Sequence, residues 1–383
     1  MPKKWLVFLA VYLGSVAATL NQFKVPPLME TLMNEFQLSP GIAGWLMSCF
    51  GAAGLLLAIP LGMVLKIARI RSIGASGLAA LAGGALLGAL APGVKVLLLG
   101  RLLEGIGLLT MGIAAPAVIS VWFAKPERDL PMGIWTTWIP AGSVMMFNLA
   151  EPLYNLGNWR TVWWFGFGAA AIALILYLWF VKLPEGGPDL GEDEKNGLKM
   201  LASGRLWLLA LMFTIYSFIL VSYTSWAPLY LRQNFMLTPS SAAFYTSLIH
   251  LGVIPANILA GLVIQKINSY RKVYLSGFGV LSILTVMAFN LQRMVIPFYM
   301  LALGLAAGFI ATAIFAAVPE VGGAKSSVAL ATSTIIGAQN LGLLLGPALV
   351  GKISAGGNWQ NAGFLFMAIT VSGAVIGWFN KVP

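Results

Sequence analysis

Long apolar runs alternate with short polar connections along this chain. A helix needs about 20 predominantly apolar residues to cross a bilayer, because it rises about 1.5 Å per residue through a hydrocarbon core of about 30 Å. The first apolar run lacks a small-residue cleavage site, so we expect a retained helix and not a signal peptide. The runs predict twelve membrane-spanning helices at residues 5–23, 41–65, 73–92, 95–120, 131–153, 161–182, 206–230, 240–265, 273–291, 295–318, 327–351 and 361–380.

Composition indicates that lipid is the main solvent. Of the 383 residues, 59% are hydrophobic and only 9% are charged, whereas soluble domains carry about 25% charged residues. Cys49 and His250 are the single residues of their types, and they supply neither a disulfide framework nor enough ligands for a metal site. No nucleotide-binding loop or Ser/His/Asp trio is visible in the sequence. We therefore predict a membrane protein that is not an enzyme and uses no metal or cofactor.

The formal net charge of +11 follows the predicted topology. With the N-terminus inside, sixteen of the 23 Lys and Arg residues fall at cytoplasmic helix ends, and seven fall at outer ends or within helices. An excess of basic residues on one side sets the orientation of a membrane protein. This distribution predicts both termini in the cytoplasm, a location in the plasma (inner) membrane, and no nucleic-acid partner.

The chain is predicted to contain two similar halves. Residues 183–205 are rich in Gly and Pro and then charged, which predicts a cytoplasmic linker between a six-helix bundle at 1–182 and another at 206–383. The triplet GNW occurs at 157–159 and again at 357–359, and Lys66/Lys266 and Arg71/Arg271 are both separated by 200 residues. Two halves in the same orientation predict parallel repeats with a pathway between them at the membrane midplane.

Four stretches resemble motifs of a known family. They are the basic loop Gly62–Arg71, the helical RLLEGIG at 101–107, the stretch WFAKPERDLPMGIW at 122–135 with Gly142, Pro152 and NWR at 158–160, and PEVGGAK at 319–325. Through them the chain resembles the major facilitator superfamily of secondary transporters over essentially its whole length. The style of TTWIPAGSVMM and NWRTVWW is closest to the cyanate-permease-like branch.

The resemblance implies an all-α membrane protein, with twelve transmembrane helices in two six-helix halves (the major facilitator fold). It also implies gating roles for the loop residues Lys66, Arg71, Arg128 and Glu320. The chain departs from the family at Leu65 and Lys66, where an acidic residue usually stands, and its antiporter signature retains only Gly142 and Pro152.

Four charged residues lie at similar depths in or beside the apolar runs: Lys24, Arg101, Glu104 and Glu151. An ionised group at the bilayer centre costs from about 2.5 to more than 10 kcal/mol unless it is paired or wetted. One interpretation is that these two bases and two acids neutralise each other, with the pair Arg101–Glu104 holding helices together. The other is that Arg101 or Lys24 attracts an anionic substrate while Glu104 or Glu151 carries a proton.

Other polar and aromatic residues in the apolar runs are candidates for a binding site. Tyr216, Tyr223 and Tyr230 are spaced by seven and share one helical face. The alternative for all of these side chains is ordinary packing and hydrogen bonding between helices. The full set of predicted substrate-binding residues is Lys24, Arg101, Trp138, Asn148, Tyr216, Tyr223, His250, Gln339 and Asn340.

These observations predict a secondary active transporter that moves a small polar, anionic solute by alternating access, with protons as a possible coupling ion. The expected partners are that solute and the lipid bilayer, and we expect a monomer. One alternative is an exporter of amphipathic or cationic compounds, favoured by the aromatic residues of the seventh predicted helix and by Met145 and Met146. The other is a membrane sensor that binds a ligand without translocating it.

Overall fold

The computed structural model describes residues 3–64, 67–123, 127–182, 201–322, 325–380 and 382. Within these ranges the chain forms α-helices and short 3-10 turns and contains no strand. The helices are α1 Lys3–Phe23, α2 Met29–Glu35, α3 Pro40–Val64, α4 Ile67–Ala89, α5 Val94–Trp122, α6 Asp129–Trp135, α7 Trp138–Asn155, α8 Trp159–Phe180, α9 Gly204–Phe235, α10 Pro239–Ile267, α11 Tyr270–Val286, α12 Ile296–Gly322, α13 Lys325–Ile353 and α14 Trp359–Phe379.

Twelve of these helices are long, and they correspond one to one with the twelve predicted spans. Ten helices in the described ranges are long and apolar enough to cross a membrane by length and composition. The other two long helices, α7 and α11, are shorter, with 18 and 17 residues. The prediction of an all-α membrane protein is therefore confirmed. The division into two domains at the linker stays a prediction, since residues 183–200 lie outside the described part of the chain.

The fifth predicted span, residues 131–153, is not one continuous helix as the sequence predicted. It is divided into the short α6 and the longer α7 at Thr136 and Thr137. Pro140 explains the break, because its nitrogen has no hydrogen to bond the carbonyl of Thr136 and its ring crowds that carbonyl. The hydroxyls of both threonines instead donate to carbonyls of the preceding turn, each at 2.7 Å.

The 200-residue repeat is visible in equivalent tertiary contacts. The guanidinium of Arg71 donates to the carbonyl of Leu178 at 2.9 Å, and that of Arg271 donates to the carbonyl of Trp378 at 2.5 Å. Both partners in the second contact are 200 residues beyond those in the first. The helices α8 and α14, which contain the acceptors, also begin 200 residues apart.

Helices from the two sides of the linker meet closely at one end of the bundle. We call this the Lys24 end, where α1 finishes, and the opposite end the Lys4 end, where α1 begins. Near the Lys24 end α2 packs on α9, α3 packs on α13, and α7 packs on α10. Three polar contacts join these helix pairs: Glu30 with Arg232 at 2.5 Å, the Ser48 hydroxyl with the Ala348 N–H at 3.2 Å, and the Ser240 hydroxyl with the Glu151 carboxylate. The Lys24 end is therefore closed.

Gly44 allows α3 and α13 to approach at this end. A Cβ at Gly44 would lie 2.7 Å from the Cα of Ala348 and 2.8 Å from the carbonyl carbon of Pro347. Both atoms belong to backbone and cannot move aside as a flexible side chain would. The close approach of these two helices thus requires glycine at this position.

We expect Gly44→Ala to lower the free energy of unfolding by about 1–3 kcal/mol, the usual cost of overpacking. Thermal unfolding of the purified protein in detergent measures this loss. Gly83→Ala is the matched control, because a Cβ at Gly83 meets nothing within 4 Å. Equal unfolding temperatures for the two variants would contradict the tight contact.

Candidate functional site

A buried ion triad of Lys24, Arg101 and Glu104 lies inside the helices of residues 3–182. All three side chains are fully enclosed. The Lys24 ammonium lies 2.5 Å from one Glu104 carboxylate oxygen, and the Arg101 guanidinium lies 2.6 Å from the other. Each oxygen of the acid therefore has its own cation, as charged groups require when they are removed from water.

Arg101 also satisfies backbone carbonyls that have lost their helical partners. Its guanidinium donates to the carbonyls of Asn21 at 2.6 Å and Gln22 at 2.9 Å, at the end of α1. Pro26 follows four residues after Gln22 and has no N–H to offer that carbonyl. A further bond reaches the carbonyl of Leu46 on α3, at 2.8 Å. One side chain of α5 thus fixes the end of α1 and joins it to α3.

Lys24 extends the same network to α8. Its ammonium donates to the side-chain oxygen of Asn21 at 2.8 Å and lies 4.6 Å from the centre of the Trp163 ring. The Asn21 amide in turn donates to the carbonyl of Gly166 at 3.1 Å. The triad therefore ties together α1, α3, α5 and α8. With two bases and one acid, it carries a formal charge of +1.

The predicted neutralisation by Glu151 is wrong. Glu151 does not join the triad, because its carboxylate accepts a hydrogen bond from Ser240 across the contact between α7 and α10. Among the described residues, no Lys or Arg forms an ion pair with Glu151. The two acids that the sequence grouped together therefore lie in different environments.

His250 lies where α10 meets α1 and α7. It is 3% exposed, and its ring centre lies 4.9 Å from that of Phe23 and 6.0 Å from that of Phe147. Its Nε2 has no hydrogen-bond partner in the described part of the chain. One turn nearer the Lys24 end, the Asn148 amide donates to the Ser247 hydroxyl at 3.4 Å. We call this contact the α7–α10 seam, formed by Phe147, Asn148 and Glu151 on α7 and by Ser240, Ser247 and His250 on α10.

The tyrosines of α9 pack against neighbouring side chains and backbone, which is the alternative to a binding role. The hydroxyl of Tyr223 donates to the carbonyl of Ala288 at 3.0 Å, and its ring lies against Phe289 and Phe366. All of these partners come after the predicted linker. Tyr216 stacks on its own helix neighbour Phe213, with ring centres 5.0 Å apart.

The remaining predicted binding residues are spread along the helices. Trp138 is buried and stacks on Trp135 at 5.8 Å. Asn340 is buried, and its amide donates to a carbonyl of the preceding turn of α13, whereas the neighbouring Gln339 is half-buried. The structure therefore gathers the predicted set into two places, the triad and the seam, and leaves Trp138, Tyr216, Tyr223, Gln339 and Asn340 outside both.

The predicted gating residues form no single cluster. Lys66 lies outside the described residues. Arg71 bonds Leu178 as stated above, Arg128 donates to backbone carbonyls at the end of α5, and Glu320 is exposed on α12.

An ion pair that the sequence did not indicate lies at the Lys4 end, where the Lys4 ammonium is 2.6 Å from the Glu127 carboxylate. No group of His, Cys, Asp and Glu among the described residues is arranged to hold a metal ion.

Arg101→Lys tests the role of the guanidinium. Lysine keeps the charge but cannot reach all of these carbonyls, and each buried carbonyl left without a donor costs about 1–3 kcal/mol. We expect a clear loss of thermal stability in detergent. Arg293→Lys, at an exposed position, is the control and should have no effect. If the two variants are equally stable, the guanidinium does not hold α1 in place.

Comparison with known proteins agrees with this architecture. The family model of the Major Facilitator Superfamily matches residues 11–321 and 228–383. The transporter YgaY of Escherichia coli (strain K12) is 30% identical over 203 residues, which cover 52% of this chain and 48% of YgaY, so the match spans about half of that relative. The glucose-6-phosphate exchanger SLC37A2 of Bos taurus is 28% identical over 332 residues, covering 67% of this chain and 63% of that protein.

A solved structure shares the fold over the full length. It is a bacterial homologue of the human lysosomal transporter Spinster in an inward-facing and occupied conformation, with a TM-score of 0.81 and 16% identity, covering 100% of this chain and 97% of that one. The fold is thus the major facilitator fold, and the protein is a multi-pass integral membrane protein of a transporter class. The chain belongs to the Major Facilitator Superfamily.

Proposed function

We propose that this protein is a secondary transporter that carries a small organic anion across the inner membrane by alternating access. The observation that carries the proposal is the excess positive charge of the buried triad. Lys24 and Arg101 face one acid, Glu104, and no second carboxylate pairs with them among the described residues. A solute that enters between the two halves of the bundle therefore meets a net positive field from the first half.

The size of this field is sufficient to affect binding. A unit charge acts on another 10 Å away with about 1.7 kcal/mol at an effective dielectric constant of 20. About 1.4 kcal/mol already changes a dissociation constant tenfold. The triad need not touch the solute to select its charge, which is consistent with the complete enclosure of its side chains.

The relatives support an anion as the cargo. The name of the glucose-6-phosphate exchanger specifies a sugar phosphate, which is a small organic anion. The cyanate-permease-like branch predicted from the sequence also includes carriers of small anions, and that assignment stays a prediction. The location of both termini in the cytoplasm also stays a prediction. With that orientation, the closed Lys24 end faces the outside of the cell.

Alternating access requires that the closed end open. Opening at the Lys24 end must separate Glu30 from Arg232 and Glu151 from Ser240, and must part α3 from α13. The triad lies within one half and need not break. Glu104 and Glu151 stay the candidates for proton coupling, and Glu151 is the one whose contact crosses between the halves.

The sharpest test is uptake into proteoliposomes from a panel of sugar phosphates, carboxylates and lipophilic cations. We expect saturable transport of at least one organic anion. Lys24→Gln makes the triad neutral while keeping a hydrogen-bonding side chain, and it should weaken the apparent affinity for that anion about tenfold. Lys95→Gln removes the same charge from an exposed position at the same end and should leave affinity unchanged.

Each alternative function has its own outcome in this assay. Transport of lipophilic cations and of no anion would show the exporter that the sequence left as an alternative. Binding of a solute without transport would show the membrane sensor. If Lys24→Gln and Lys95→Gln change the apparent affinity for the anion equally, the triad does not select the charge of the solute.

A further inference from the structure

The α7–α10 seam contains a pocket that is separate from the buried triad, on which the proposed selection of an anion rests. Its volume is about 310 Å³, within the usual range for small-molecule sites. Glu151 and Asn148 line it from α7, and Ser240, Phe244 and Tyr245 line it from α10. These two helices lie on opposite sides of the predicted linker, so anything bound here touches both halves of the chain.

The charge of the pocket is negative. Glu151 has no basic partner among the described residues, and its one described contact is the hydroxyl of Ser240. A carboxylate at this depth in a membrane helix is stabilised by a cation. The pocket therefore repels the anion proposed as the transported solute, and it is a separate site.

The rest of the lining suits an ammonium group. Phe147, Phe244 and Tyr245 present aromatic rings, whose faces attract cations. The serine hydroxyls and the carboxylate are acceptors for the three N–H bonds of a primary ammonium.

The position of the pocket indicates how such a group reaches it. Glu151 lies four residues before the end of α7, about 6 Å along the helix, and Ser240 is the second residue of α10. Phe244 is 46% exposed. The pocket thus lies near one end of both helices, at the level where a lipid headgroup and a free amphipathic amine are both available.

We propose that this pocket binds a primary ammonium group, carried by a phosphatidylethanolamine headgroup or by a free alkylamine, and that the bound group holds the Lys24 end closed. The ligand would bridge Glu151 on α7 and the serines of α10, and it fits only while the two helices are together. A ligand that binds one conformation better shifts the population toward it. The inference does not rest on the identity of the transported solute.

The test uses the full chain in nanodiscs of phosphatidylcholine, alone or mixed with phosphatidylethanolamine. Thermal unfolding reports binding. Spin labels at Leu156→Cys and Met294→Cys, two highly exposed positions at the Lys24 end, report closure by their distance in a Cys49→Ser background. Dodecylamine added to phosphatidylcholine discs tests a free amine, with dodecanol as its uncharged match.

We expect phosphatidylethanolamine, dodecylamine or both to raise the unfolding temperature and to narrow the label distances toward the closed state. Glu151→Gln should lose this response, with at least tenfold weaker binding of dodecylamine, and Glu151→Asp should retain it. Glu35→Gln is the matched control and should respond like the wild type, because Glu35 is exposed at the same end and its ion pair with Arg160 does not cross between the halves.

The pattern of responses identifies the source of the ammonium. A response to the lipid alone assigns a headgroup, and a response to dodecylamine alone assigns a soluble amine. A wild type that responds to neither, or a Glu151→Gln variant that responds fully, overturns the proposal. Either result leaves the anion-uptake assay unaffected, so failure here is distinct from failure of the proposed function.

Discussion

The first half of this protein depends on one arginine that supplies hydrogen bonds where a helix stops inside the membrane. Pro26 and Pro27 end α1 and leave carbonyls without donors, and lipid offers none in their place. The guanidinium of Arg101 bonds two of the last carbonyls of α1 and one of α3. The buried charge of Arg101 needs a partner of opposite sign, which is Glu104, and the second carboxylate oxygen of Glu104 pairs with Lys24. The triad is therefore a consequence of how α1 terminates.

Contacts within the first half and contacts between the halves differ in strength. The triad is enclosed, and each of its charges has a partner of opposite sign. The contacts that close the Lys24 end are separate hydrogen bonds, a partly exposed ion pair and close packing at Gly44. Hydrogen bonds between membrane helices contribute about 0.6 kcal/mol on average. Alternating access requires the contacts between the halves to separate while the contacts within each half stay formed.

The two ionised centres also have opposite signs. The triad carries a formal charge of +1 inside the first half, and Glu151 carries a negative charge at the seam between α7 and α10. The proposed anion would be attracted by the first and repelled by the second, whereas the proposed ammonium ligand would be attracted by the second. This separation is the reason for assigning the transported solute and the ammonium ligand to different places.

Much of the architecture could be predicted from the sequence because lipid imposes a simple pattern. Run length fixed the number of helices, and the 200-residue offset of Arg71 and Arg271 anticipated equivalent contacts with Leu178 and Trp378. The break before Pro140 was missed, although a proline inside an apolar run was a usable signal. A second missed signal was Pro26 after α1, whose lack of an N–H leaves a carbonyl that needs a donor such as Arg101.

The sequence by itself determined that this chain spans a membrane with twelve helices and buries a few charges among them, because apolar run length and scarcity of charge are local properties. Only the tertiary structure decided which charges meet. The depth of a residue along a helix can be predicted from the sequence, and on that basis Glu151 was grouped with Glu104. The direction in which a side chain points around the helix axis is set by how the helices pack. Packing directs Glu151 toward Ser240 on α10 and Tyr223 toward the carbonyl of Ala288.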